Sequence, residues 1–341
     1  MDFNKMMMPA SKTAVFQEEG YKVWGATLTK CDDGQYHLLY SRWKEEFGHG
    51  AWVSHSEIAY AVGETPFGPF EPKGAVISGR GDGYWDGSSI HNPTVIKVKG
   101  KYYMYYMGTY GMDPCKVIDH EDPEWWVYRN NQRVGVAWAD HPSGPWHRLD
   151  QPVIDVTKDS YDHLMTSNPS AALMPDGRIL MVYKAVGNGD MPKGGPVICG
   201  VAIAEDPLGP FEKADKPIMQ NPENDWSVED PFIWYGDGKY YALVKDFQGY
   251  FTKSDVHSTA LFESDNGMDW FPGNNPFAFD IHFTWSDGEK EDLAWLERPQ
   301  LYIENGQPKV LLCAAAVDNE KQDSFNVQIP LKNFENKGTT L

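Results

Sequence analysis

Five times along this 341-residue chain a β-rich run, a tight glycine turn and a second, aromatic-rich run recur. They read CDDGQYHLLYSRW at 31–43, VKGKYYMYYMGTY at 98–110, MPDGRILMVYKAV at 174–186, YGDGKYYALVKDF at 235–247 and IENGQPKVLLCAA at 303–315. Asp-Gly and Asn-Gly between β-rich runs are strong hairpin signals, because glycine accepts the positive φ that tight hairpin turns require. Self-similarity at a repeating interval marks architectures whose units bury their apolar faces only against one another. The turn glycines Gly34, Gly100, Gly177, Gly238 and Gly306 stand 61 to 77 residues apart.

A second element follows the hairpin. It reads EIAYAVGETPFGPFEP at 57–72, VGVAWADHPSGPWHR at 134–148 and CGVAIAEDPLGPFEK at 199–213, with a degenerate copy, ALFESDNGMDWFP, at 260–272. Each is an alternating strand, a turn with Pro or Gly, then an aromatic. The two elements make four strands per repeat, which is one propeller blade. The chain is therefore expected to be all-β: a five-bladed β-propeller of four antiparallel strands per blade, forming one domain over 1–341. Its blades fall roughly at 20–75, 85–150, 160–215, 225–272 and 293–333. The repeats are lengthened by loops such as 110–132 and 273–296. No long helix is expected, although 111–132, with Trp125 and Trp126, has room for a helical turn.

Composition narrows the function. Thirteen Trp, 18 Tyr and 16 Phe suit pleated, half-buried surfaces, and tryptophan also stacks on sugar rings. A formal net charge of −19 repels nucleic acid and anionic membranes. No apolar run approaches the ~20 residues that cross a bilayer. The opening MDFNKMMMPASK lacks an apolar signal core, which leaves a cytoplasmic protein, or a secreted one whose leader is removed. Cys31, Cys115, Cys199 and Cys313 lie far apart without a CxxC pair, which speaks against structural zinc or a disulfide framework.

Upstream of four turns stands an X-X-Pro step: His91-Asn92-Pro93, Ser167-Asn168-Pro169, Glu229-Asp230-Pro231 and Glu297-Arg298-Pro299, with Trp24-Gly25 in the matching place of the first repeat. Proline suits the first residue of a strand and holds its predecessor extended. Each step is expected to start the innermost strand of a blade, and those starts converge on one mouth of the axis. Glu229, Asp230 and Glu297 would then meet there, although capping of strand starts alone also explains the Asn residues. Hairpin return strands end at Arg42-Trp43, Lys184 and Lys245-Asp246, which adds Arg42, Lys184 and Asp246 to the same rim. Asp86, behind Trp85 and shortly before His91, is a further candidate.

The segments HNPTVIKVKGKYYMYYMG, VEDPFIWYGDGKYYALVKD and LERPQLYIENGQP resemble bacterial five-bladed glycoside hydrolases of family 43, and especially of family 117 and its relatives. The likeness runs over roughly 20–330. It implies exo-acting removal of a terminal sugar with inversion, and in family 43 three carboxylates from separate blades act as base, acid and pKa modulator. Trp24-Gly25 stands where family 43 presents its base Asp, so Asp86 is expected to replace it.

Glycoside cleavage needs two carboxyl groups in different protonation states, and crowding like charges in a partly dry pocket separates their pKa values. Glu297 is expected as the acid or its close partner, Asp86 as the base and Asp230 as a modulator or a ligand of a sugar hydroxyl, with Glu229 and Asp246 completing the cluster and His91 an alternate acid. Trp24, Trp43, Trp85, His91, Asn92, Asn168, Arg42, Lys184 and Arg298 are expected to hold an oligosaccharide. A phosphorylase using Arg42, Lys184 and Arg298 for inorganic phosphate, and a non-catalytic carbohydrate-binding propeller, are the alternatives. No cofactor is required and no metal ligand set is assigned, although a divalent ion such as calcium suits oxygen-rich clusters.

Overall fold

The computed structural model describes residues 1–332 except 112, 114, 115 and 119. All five turn glycines have φ between 73° and 94°, which opens the tight hairpins that the Asp-Gly and Asn-Gly signals imply. The hairpins pair Tyr21–Lys30 with Tyr36–Lys44, Ser89–Val98 with Lys101–Thr109, Met165–Leu173 with Ile179–Val186, Val228–Gly236 with Lys239–Asp246, and Trp295–Glu304 with Gln307–Ala316. Third strands follow at Glu57–Gly63, Arg133–Ala139, Val197–Ala204, Ser258–Ser264 and Phe325–Pro330. Fourth strands in the first four blades are Glu71–Ile77, His147–Arg148, Glu212–Lys213 and Phe271–Asp280. Each blade is thus a four-stranded antiparallel sheet. The five first strands touch one another in a closed ring, so the protein is a five-bladed β-propeller.

Several features depart from the sequence reading. The fifth blade takes its outer strand from the other end of the chain: Val15–Phe16 pairs with Phe325–Pro330, Val15 opposite Val327. The fourth blade's outer strand runs on to Asp280, beyond the boundary expected at 272, and a small ribbon of His282–Thr284 with Lys290–Asp292 follows. The 110–132 insertion carries a genuine helix, Pro123–Asn130, whose Asp122 side chain accepts the Glu124 N–H at 2.8 Å while Pro123 opens the first turn.

The X-X-Pro steps are bulges within the strands rather than their starts. The ladders slip between Trp24 and Thr27, His91 and Thr94, Ser167 and Ser170, Glu229 and Phe232, and Glu297 and Gln300. The residue inside each slip is left-handed: Gly25, Asn92, Asn168, Asp230 and Arg298 have φ of 54°, 54°, 45°, 55° and 60°. Proline is tolerated at a bulge, where no ladder bond needs its missing N–H. Ala26 stands in that place in blade one and does have an N–H, which Asn326 Oδ1 accepts at 3.1 Å. Apolar side chains fill the spaces between adjacent blades; Phe232, Leu243, Leu301 and Leu311 join the fourth to the fifth. Among the described residues no helix is long and apolar enough to cross a membrane.

Candidate active site

The five left-handed residues close the axis as a polar ring. Asn92 Nδ2 donates to Asn168 Oδ1 at 3.0 Å, Asn168 Nδ2 donates to Asp230 Oδ1, and Arg298 lies 3.6 Å from the same Asp230 oxygen. Arg298 also donates to the Asn92 carbonyl at 3.0 Å. Gly25 completes the circle: a Cβ there would sit 2.7 Å from Asn92 Oδ1 and 3.1 Å from Arg298 Cγ. A side chain at this position of blade one would therefore crowd Asn92 and Arg298.

Above the ring is a cleft of about 300 Å³. The residues preceding the left-handed positions, Trp24, His91, Glu229 and Glu297, line it with Asn92, Asn168, Asp230, Lys184 and Lys245. Ser167, the fifth residue of that set, is fully buried. Charges alternate along the cleft. Lys184 Nζ lies 2.5 Å from Glu229, Lys245 Nζ lies 3.1 Å from Glu229 and 2.6 Å from Glu297, and Lys321 Nζ lies 3.2 Å from Glu297. Lys321 in turn sits over the Trp24 ring at 4.5 Å and the Trp295 ring at 4.0 Å.

This arrangement splits the protonation states. Burial opposes ionisation of Glu229, but Lys184 and Lys245 outweigh it and hold the carboxyl well below its ordinary value. Burial likewise opposes ionisation of Glu297, and Lys245 with Lys321 overcomes it. Asp230 goes the other way: burial, reinforced by the Glu229 charge, lifts it to about 6. The cleft therefore holds two firmly ionised carboxylates and one that retains a proton into mildly acidic solution.

His91 lies in the cleft wall, stacked on Trp52 with ring centroids 5.1 Å apart and its Nδ1 2.7 Å from the Ser56 hydroxyl. Burial, with Arg298 and Lys321 nearby, keeps it well below its ordinary pKa, so the imidazole is neutral and has no proton to lend as the alternate acid.

Six of the expected site residues lie elsewhere. Asp86 is fully buried, held by Arg80 at 2.6 Å, Arg148 at 3.3 Å and the Tyr106 hydroxyl at 2.9 Å. With its lone pairs so engaged and no cleft exposure, it cannot take the base role expected of it. Trp85 stacks on Tyr106 and lines a different recess. Asp246 accepts the backbone N–H groups of Tyr250, Phe251 and Thr252 at 3.2, 2.8 and 3.0 Å, so it shapes a loop. Arg42 is paired with Glu18 and Glu57. Trp43 donates its indole N–H to the Gly48 carbonyl and packs behind His91. Arg298 belongs to the ring beneath the cleft.

Several residues that line the cleft escaped the sequence reading. The Pro123–Asn130 helix brings Trp125, Trp126 and Arg129 over the opening, anchored by Trp125 Nε1 on the Gly50 carbonyl at 2.9 Å. Arg129 is buried between Trp126 and Trp226, with its carbon centre 5.6 and 6.0 Å from the two rings. Burial lowers its pKa to about 10. Among the described residues it has no carboxylate partner; it donates to Asn130 Oδ1 and the Lys193 carbonyl, both at 3.0 Å. The Asp-Pro-Glu start of the helix was the available signal.

Calcium does not fit the axial carboxylates. It takes six to eight oxygen ligands, whereas Glu229 and Glu297 each have both oxygens on lysine ammonium groups.

No family model matches the chain. A stretch of 52 residues is 44% identical to a β-1,2-mannobiose phosphorylase from a Thermoanaerobacter species, covering 15% of this chain and 17% of that protein. Among solved structures, a family 117 glycoside hydrolase from the marine bacterium Zobellia galactanivorans superposes with a TM-score of 0.66 at 19% identity, over 95% of this chain and 89% of that one. A thermostable family-43 glycoside hydrolase superposes with a TM-score of 0.60 at 16% identity, over 98% and 96% of the two chains. At such identities the likeness establishes the shared five-bladed fold.

Proposed function

We propose that the protein is a glycoside hydrolase whose reaction centre is the axial cleft. The observation that carries this reading is the split in protonation among Asp230, Glu229 and Glu297, contributed by two blades to one aromatic-walled pocket. Hydrolysis of a glycosidic bond requires a carboxylic acid to protonate the leaving oxygen and a carboxylate on the other side of the sugar. Asp230, the one lifted towards neutrality, is the proton donor in this reading. Glu229 and Glu297 stay ionised, and one of them activates water. The fold neighbours from families 117 and 43 support the same reaction class.

The cleft is small and floored by the polar ring, which favours a chain end over a chain interior. That shape supports reading the reaction as exo-acting release of a terminal sugar. Inversion is the outcome expected from the resemblance to family 43. Assaying aryl glycosides and plant and algal oligosaccharides in phosphate-free buffer, with the released anomer followed by NMR, tests all three statements. Release of single sugars as the inverted anomer is expected. Internal cleavage products would overturn the exo reading, the retained anomer would overturn inversion, and no turnover of any glycoside would overturn the reading as a whole.

Phosphorolysis is a second reading, favoured by Arg129, which lines the cleft without a carboxylate partner among the described residues, and by Lys184 and Lys321, which line the same cleft. The 52-residue likeness to a mannobiose phosphorylase points the same way. In that case inorganic phosphate replaces water as the attacking group, and turnover would require phosphate and yield a sugar 1-phosphate.

A further inference from the structure

A second cluster of reactive side chains lies at the opposite end of the blades from the cleft. The first hairpin turn carries Cys31 and Asp33, the following strand Tyr36–Lys44 carries His37, and the turn after Arg133–Ala139 in the next blade carries His141. One potential ligand atom from each of these four residues lies within 4.8 Å of all the others. Asp33 Oδ2 is 3.8 Å from His37 Nε2 and 3.9 Å from His141 Nε2, and the two imidazoles stand at 90° with centroids 5.0 Å apart.

His37 is 2% exposed, yet neither of its ring nitrogens has a hydrogen-bond partner. A buried imidazole with both nitrogens unpaired is costly unless something else occupies them. The neighbouring groups are already oriented. His141 Nδ1 is 2.7 Å from the Ser143 hydroxyl, which leaves Nε2 for the cluster. Asp33 Oδ1 accepts the Gln35 N–H at 2.8 Å, which leaves Oδ2. Such outer contacts fix the tautomer and direction of metal-binding side chains.

We propose that Cys31, Asp33, His37 and His141 form a binding site for a divalent transition metal of the zinc class, joining the first and second blades. One thiolate, one carboxylate and two imidazoles make the four-ligand set that zinc takes in tetrahedral geometry. A thiolate and two imidazoles disfavour calcium and magnesium, which take oxygen. On binding, Cys31 gives up its thiol proton to solvent and the metal–sulfur bond replaces it. The lack of a CxxC pair counts only against ligands close in sequence; here three come from one hairpin and the fourth from more than a hundred residues away.

The test is titration of the chelator-treated full chain with zinc chloride, followed calorimetrically, and with cobalt(II), followed by absorption. One metal per chain is expected, with a thiolate-to-cobalt charge-transfer band and tetrahedral d–d bands. Cys31→Ser should abolish the charge-transfer band, and His141→Gln, on a partly exposed turn, should weaken zinc binding at least tenfold. Glycoside turnover should be the same with and without zinc, since the cluster shares no residue with the cleft. No stoichiometric uptake, a charge-transfer band that persists in Cys31→Ser, or undiminished affinity in His141→Gln would each overturn the proposal.

Discussion

Gly25 holds a φ of 54° where a Cβ would lie 2.7 Å from Asn92 Oδ1. Two penalties follow from Gly25→Ala: a left-handed alanine and a collision with the polar ring. Left-handed non-glycine backbone alone costs about 1–3 kcal/mol, so the variant should lose at least about 2 kcal/mol in urea unfolding. Asp230 tolerates the same conformation and uses it to face the cleft. Because burial and Glu229 lift Asp230 to about 6, its proton is present below that pH and lost above it. If Asp230 is the acid, kcat/KM should fall as pH rises through about 6. Asp230→Asn should lose about 10²–10⁴-fold in rate and no longer show that limb. A wild-type profile flat from pH 5 to 8 would remove Asp230 from the role.

At the scale of elements, the hairpins were legible because Asp-Gly and Asn-Gly have a local backbone meaning. The X-X-Pro steps located the axial residues of four blades for a related reason, although proline marks a bulge here and not a strand start. What escaped was non-local or locally ambiguous. Val15–Phe16 is a two-residue strand with no periodicity of its own, and it becomes a strand only against Phe325–Pro330. Phe16 is 3% exposed, packed edge-on against Tyr40 with centroids 4.6 Å apart. Phe16→Ala should therefore destabilise the protein by about 3–5 kcal/mol, read as a lower urea midpoint; an unchanged midpoint would show that the closing strand contributes little. Asp86 and Asp246 were misplaced because sequence shows that an acid is near an axis but not which half-buried arginines or loop amides it meets. The helix Pro123–Asn130 is an element of the cleft itself. Trp126→Ala there should raise KM at least several-fold with kcat little changed, if its ring lies along the sugar; an unaltered KM would place the ring outside the binding surface.

Across the whole molecule, a chain of net charge −19 concentrates cations at its axis: Lys184, Lys245, Lys321 and Arg129 line the same cleft as Glu229, Asp230 and Glu297. The propeller makes this possible by bringing strands more than 200 residues apart to one ring. Because residues 15–16 close the blade that ends at 330, we propose that the propeller unfolds as one domain, visible as a single cooperative transition. In the proposed reaction, carboxylates from two blades act together on one glycosidic bond. The hydrolysis rates of Glu229→Gln and Glu297→Gln against the parent protein on the best glycoside, with circular dichroism confirming the fold, decide whether they do. Each replacement leaves a buried lysine short of one counter-charge but keeps the side chain's shape. A rate at least about 10²-fold lower in one or both folded variants is expected; rates equal to the parent in both would contradict the account.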